Sequence, residues 1–173
     1  MSNAAATMRP RTPKVSGPAP PLEFFVESTT PKGSLTTLNS SGEATCSHLH
    51  RSLQHYQDAI NGRRFWHSDP GWRYLANNFT FRSIDGLQLS GPDNHLTYMA
   101  KWCAAFPNVS LVLHNMSTDL DEAVGKATTL CDLEVRGMPL GTVRHCTQTI
   151  TWKKVGGEWA GMGCVIIEGP GLD

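Results

Sequence analysis

Few side chains in this sequence are of a type and spacing that could move a proton or hold a developing charge. Asp132 and Glu134 stand two apart in a run that alternates with Cys131, Leu133 and Val135, so both carboxylates share one face of a strand. Either they line a cavity, where burial would raise a carboxyl pKa toward general acid/base work, or they lie on the solvated face opposite the apolar set. Asp85 precedes Gly86, a dipeptide that reads as turn chemistry unless the carboxylate serves as a base at the end of an aromatic strand. His95, beside Tyr98 and Trp102, could reach the mouth of a cavity. Imidazole chemistry would make His114 and His145 candidate bases, but each belongs to the polar set of its strand, which points outward. Cys164 would be a nucleophile only with a neighbouring base to make thiolate; a small buried thiol is the simpler reading. Cys46-Ser47-His48-Leu49-His50 holds potential ligands, yet no second pair follows at zinc-site spacing, so no metal is expected. Without a phosphate-cradling Gly-rich loop or a Gly-x-Ser-x-Gly elbow, no cofactor is expected either.

The elements that would position these groups occupy only part of the chain. Its 173 residues suit one domain with a tail, and 15 basic residues balance 15 acidic ones. That neutrality lacks the electrostatic footprint of a nucleic-acid binder. Apolar runs such as Cys164 to Ile167 fall far short of the ~20 residues of a membrane span. The opening residues lack the pattern of a secretion signal, and the five scattered cysteines suit a reducing compartment, so a cytoplasmic protein is expected. Residues 1–44 are rich in Ser, Thr, Pro, Gly and Ala and predict a disordered or loosely docked tail, in which only Leu22 to Val26 could pack on anything.

Residues 45–173 are patterned. Leu49, Leu53, Tyr56 and Ile60 fall on one face of a helix that stops at Asn61-Gly62. Ser68-Asp69-Pro70 predicts a short second helix holding Trp72 and Leu75. Phe79 to Ile84 alternates as a strand, and Asp93 to Phe106 predicts a third helix with Leu96, Met99, Cys103 and Phe106 as its stripe. Period-two segments then follow from Val109, from Val124 to Val135, from Thr142 to Lys153 and from Trp159 to Ile167, with glycine turns between the last three. This order predicts an α+β fold: a curved antiparallel sheet forming a cone, with two to three N-terminal helices over its concave face.

Four strings give that order a likeness. They are His55-Tyr56-Gln57-Asp58-Ala59-Ile60-Asn61-Gly62, Tyr74-Leu75-Ala76-Asn77-Asn78-Phe79-Thr80-Phe81, Ala104-Ala105-Phe106-Pro107-Asn108-Val109 and Trp152-Lys153-Lys154-Val155-Gly156-Gly157-Glu158-Trp159. In order and spacing, residues 47–167 resemble the SnoaL-like branch of the nuclear-transport-factor-2-like superfamily. The resemblance implies a cofactor-independent acid/base isomerase, cyclase or dehydratase acting on a hydrophobic polyketide or terpenoid intermediate of secondary metabolism. An epoxide hydrolase of the same fold and a non-catalytic binding module are the alternatives. It further implies a homodimer through the outer sheet face.

Residue by residue the likeness is uneven. Tyr56 falls where ketosteroid isomerase keeps its oxyanion-binding tyrosine, while that enzyme's aspartate base falls at Ser83, leaving Asp85 two residues on. The cyclases' histidine and aspartate fall at Ile150 and Cys164. The hydrolase's middle-strand aspartate matches Asp132, with Leu130 in place of its arginine, and this register puts Asp132 inside. The expected catalytic groups are therefore Tyr56, Asp85, Asp132 and His95. The expected pocket, of ~300–1,000 Å³, is lined by Trp66, Tyr74, Phe81, Ser83, Tyr98 and Trp102, and from the last two strands by Cys146, Gln148, Ile150, Met162 and Cys164.

Overall fold

A computed structural model of the chain describes residues 40–169. Residues 1–39 of the expected tail, including the Leu22 to Val26 patch, lie outside the described residues. Residues 40–44 do not belong to a tail, because the first helix, α1 (Ser40–Asn61), already includes them. Its first turn is tied down by Glu122, whose carboxylate accepts hydrogen bonds from the hydroxyls of Ser41 (3.3 Å) and Thr45 (2.9 Å). The stripe Leu49, Leu53, Tyr56 and Ile60 is buried as its spacing requires.

α1 is followed by β1 (Leu75–Arg82), β2 (Gln88–Ser90), α2 (Pro92–Ala105), β3 (Ser110–Asp121), β4 (Lys126–Arg136), β5 (Val143–Val155) and β6 (Glu158–Glu168). The six strands form one sheet in the order β2-β1-β6-β5-β4-β3. The fold is α+β, as the patterning predicts, with two corrections. Two helices are present among the described residues, within the two to three expected, and the short helix expected at Ser68 is the one not formed. Ser68 to Tyr74 forms turns held by Asp69, which takes Arg64 Nε at 2.7 Å and the Gly71 amide at 2.9 Å, and these bonds replace a helical ladder. Gly71 suits this path because a Cβ there would lie 2.5 Å from the Ala59 Cβ. The sheet is also mixed, since β1 pairs with β6 in parallel and all other pairs are antiparallel.

α1 lies along β3 and supplies bonds that a neighbouring strand would otherwise make. The Asn61 amide donates to the Leu111 carbonyl and accepts from the Leu111 N–H, both at 2.8 Å, and Gln57 Oε1 accepts from the Leu113 N–H at 3.1 Å. After α1 the chain turns through Arg63, at a φ of 58°, whose guanidinium donates to the carbonyls of Ile60, Pro107 and Val109. One side chain thereby joins the end of α1 to the joint between α2 and β3. Leu133, Val135, Cys146, Ile150 and Trp152 alternate inward on β4 and β5 and meet the helices in the core.

Candidate functional site

Between α1, α2 and the inner sheet face lies a cavity of about 50 Å³, lined by Tyr56, Phe81, Ser83, Ile84, Asp85, Tyr98, Met99, Trp102, Leu111, Leu133, Val135, Met138, Gln148 and Ile166. It is smaller than the pocket the sequence suggests, because Trp102, Tyr98, Met138 and Ile166 pack against the core around it. The Trp102 indole N–H donates to the Met138 sulfur at 2.9 Å, bridging α2 to the segment that follows β4.

Its polar groups are few. Ser83 is buried and its Oγ has no hydrogen-bond partner of good geometry, although the hydroxyl is close enough to the Tyr98 phenol to work against the upward shift of that phenol's pKa. That upward shift comes first from burial and then from the Asp85 carboxylate. Asp85 itself is exposed and stands at the cavity edge, directly after the strand that carries Phe81. Gln148 is fixed on the sheet side, its amide donating to Cys164 Sγ at 3.1 Å while its Oε1 faces Cys131 Sγ at 3.6 Å. Burial pushes both thiols up to about 12, so neither supplies a thiolate near neutral pH.

Behind Tyr56 lies His95, fully buried rather than at the cavity mouth where the sequence suggests it. The Tyr56 hydroxyl and His95 Nε2 are 3.0 Å apart. The imidazole stacks on the Tyr56 ring and is enclosed by Phe81 (4.4 Å between centroids), Phe79 (5.3 Å) and Trp72 (5.9 Å). Burial lowers its pKa to about 3, so the ring is neutral across the physiological range, and burial likewise holds Tyr56 well above the usual phenol range.

Of the expected site residues, Tyr56, Phe81, Ser83, Asp85, Tyr98, Trp102 and Gln148 meet at this cavity. Asp132 does not. It lies exposed on the outer face, bonded to the Asn115 amide at 2.9 Å, because the apolar Cys131, Leu133 and Val135 take the inner positions of β4. Glu134 shares that outer face and pairs with Arg136 and His114. Trp66 is 51% exposed and away from the cavity. Tyr74 packs between Tyr56 and Trp152, and Cys146, Ile150 and Cys164 are core residues outside the cavity lining. Met162 is the extra residue of a bulge between the Thr151–Gly163 and Trp152–Gly161 pairs, which takes it out of the inward alternation. The sequence reading missed Met99, Leu111, Leu133, Val135, Met138, Ile84 and Ile166 as lining. The strand alternation marks Leu133 and Val135 as inward, whereas Met138 lies in a turn and carries no such signal.

No three His, Cys, Asp or Glu side chains among the described residues are grouped to hold a metal ion. No helix among them is long and apolar enough to cross a membrane.

No protein-family profile and no curated protein matches the chain. Solved structures do. A protein of Pseudomonas putida KT2440 described as NTF2-like and of unknown function superposes with a TM-score of 0.60 at 15% identity, over 76% of this chain and 91% of that one. A protein of Novosphingobium aromaticivorans provisionally named a scytalone dehydratase gives 0.63 at 11% identity, over 77% and 89%. Another of Streptomyces avermitilis, provisionally named a dehydratase of the NTF2-like family, gives 0.60 at 12% identity, over 74% and 98%. Such low identities speak for the fold alone. The two helices and the six-stranded mixed sheet described above are the nuclear-transport-factor-2-like, or cystatin-like, fold.

Proposed function

We propose that the chain is a cofactor-independent acid/base enzyme of the SnoaL-like type, a dehydratase, isomerase or cyclase acting on a hydrophobic carbonyl compound such as a polyketide or terpenoid intermediate. The observation that carries this reading is a small set of polar groups in an otherwise apolar cavity. Asp85 and Ser83 lie near Tyr98; Tyr56 and Gln148 add two further polar groups, and Met99, Leu111, Leu133 and Val135 supply apolar wall. A ligand held there keeps its hydrocarbon body dry and presents its oxygen atoms to a carboxylate and to the tyrosine and serine hydroxyls.

In a dehydration, Asp85 takes the proton from the carbon beside the carbonyl. The resulting enolate reforms the carbonyl and expels the β-hydroxyl, which leaves as water after recovering the proton from Asp85. In an isomerisation the same carboxylate returns the proton to a different carbon. Tyr56 donates to the carbonyl oxygen as charge develops on it. The epoxide-hydrolase alternative requires Asp132 inside, and Asp132 faces outward. A non-catalytic binding role draws support from the small cavity and from the apolar Ile150 and inert Cys164 at the positions where the cyclases keep their histidine and aspartate.

We also propose a homodimer through the outer sheet face, where Leu130, Val165 and Ile167 are 47%, 40% and 56% exposed. Mass-spectrometric metabolite profiling of the producing organism with and without the gene tests the reaction. A dehydratase leaves an intermediate heavier than the lost product by one water, and an isomerase or cyclase leaves one of equal mass. An unchanged profile under expressing conditions overturns the enzymatic reading in favour of binding.

A further inference from the structure

Deepest in the site, the Tyr56–His95 pair leaves one polar atom unaccounted for. His95 Nε2 lies 3.0 Å from the Tyr56 oxygen, whereas His95 Nδ1 is buried with no hydrogen-bond partner among the described residues. Around it stand the rings of Phe81, Phe79 and Trp72. A neutral imidazole carries one proton, and its two placements have different consequences. With the proton on Nδ1, an N–H donor is stranded among aromatic rings, and the Tyr56 O–H is consumed by donating to Nε2. With the proton on Nε2, that N–H donates to the Tyr56 oxygen, and only a lone pair is left bare at Nδ1. Stranded N–H groups are the rarer and costlier defect in folded proteins. An unperturbed imidazole also prefers its proton on Nε2.

We infer that His95 is a positioning residue whose Nε2–H donates to the Tyr56 oxygen, freeing the Tyr56 O–H to donate to the carbonyl oxygen of a molecule in the cavity. Tyr56 is itself part of the cavity wall. A hydroxyl that already accepts a hydrogen bond is a stronger donor, since the two bonds polarise one another. This arrangement selects ligands with an acceptor oxygen at the Tyr56 end over hydrocarbons of the same shape.

The inference rests on the reading of the cavity as a site for a carbonyl compound, but its test requires no turnover. In the full-length chain, ¹⁵N–¹H NMR of labelled histidine should show His95 with a protonated Nε2 and a bare Nδ1. The reverse pattern overturns the inference. The affinities of cyclohexanone and of methylenecyclohexane, which has the same shape without the oxygen, are then compared by NMR titration. Their ratio should fall about tenfold in Tyr56→Phe, the worth of one hydrogen bond, and by a smaller factor in His95→Phe, which keeps the Tyr56 O–H but removes the bond that orients and polarises it. It should recover in His95→Gln, which keeps an N–H donor at the same reach. Failure of cyclohexanone to bind, or a ratio unmoved by Tyr56→Phe, overturns the inference, and so does a ratio unmoved or raised by His95→Phe, the rise being what release of an O–H spent on Nε2 would give. An inactive protein with the expected tautomer and ratio would count against the proposed reaction alone, and an active one with the reverse tautomer against this inference alone.

Discussion

Asn61 exchanges two hydrogen bonds with the backbone of Leu111, so that one side-chain amide occupies the place of a missing strand at that point of β3. Asn61→Leu leaves both backbone groups of a largely buried segment without these partners. It should lower the unfolding free energy by about 2 kcal/mol, with Asn61→Asp in between because it keeps the acceptor alone. Urea unfolding followed by fluorescence measures this; equal midpoints for all three proteins would show that water substitutes for the amide.

Asp85 and Asp132 provide a contrast between inner and outer carboxylates. If Asp85 is the base, Asp85→Asn should cut the rate of consumption of the accumulated intermediate by about two to four decades. Asp132→Asn should leave that rate unchanged, because Asp132 faces away from the cavity. The opposite ranking would overturn Asp85 as the base.

Stability should depend on pH through His95. Its pKa falls from 6.5 to about 3 on burial, so below pH 6.5 the unfolded chain binds a proton that the folded one refuses. The contribution is fully present above pH 6.5 and is lost as pH falls toward 3, at a limiting slope of about 1.4 kcal/mol per pH unit. His95→Gln removes the titration. The stability difference between the two proteins, measured by urea unfolding from pH 7 to pH 4, should therefore shift with pH in favour of the variant; parallel profiles would mean that His95 is not buried neutral.

Val165 and Ile167 lie on neighbouring inter-strand pairs with Thr149 and Thr147 on the outer face. Light scattering should give twice the 18.9 kDa chain mass for the native protein and the single mass for Val165→Arg/Ile167→Glu. A native protein already at the single mass rules the dimer out.

Much of this architecture was legible where the signal was local and repeated. The Leu49, Leu53, Tyr56, Ile60 stripe and the inward alternation on β5 needed nothing beyond the period of a helix or a strand. Asp132 was misplaced when a register taken from the resemblance was set against the alternation of Cys131, Leu133 and Val135, and the burial of that apolar set decided the matter. The turns at Ser68 to Tyr74 were read as a helix because an N-cap serine and a proline can introduce either, and the Arg64–Asp69 bond that selects turns depends on the folded geometry. His95 lies 39 residues from its partner Tyr56, and no periodicity links them. The three-residue β2 was too short for any pattern to register.

The position of β6 in the sheet bears on how the protein is made. It pairs with β5 on one side and, in parallel, with β1 on the other, so the strand nearest the end of the domain is the one that joins its two halves. During synthesis the β1–β2 hairpin has no seat in the sheet until residues near 165 have left the ribosome, and Phe79 and Phe81 stay uncovered on that side meanwhile. Such long-range closure slows folding and prolongs the exposure of sticky strands. A nascent chain halted before β6 is therefore the state most in need of a chaperone.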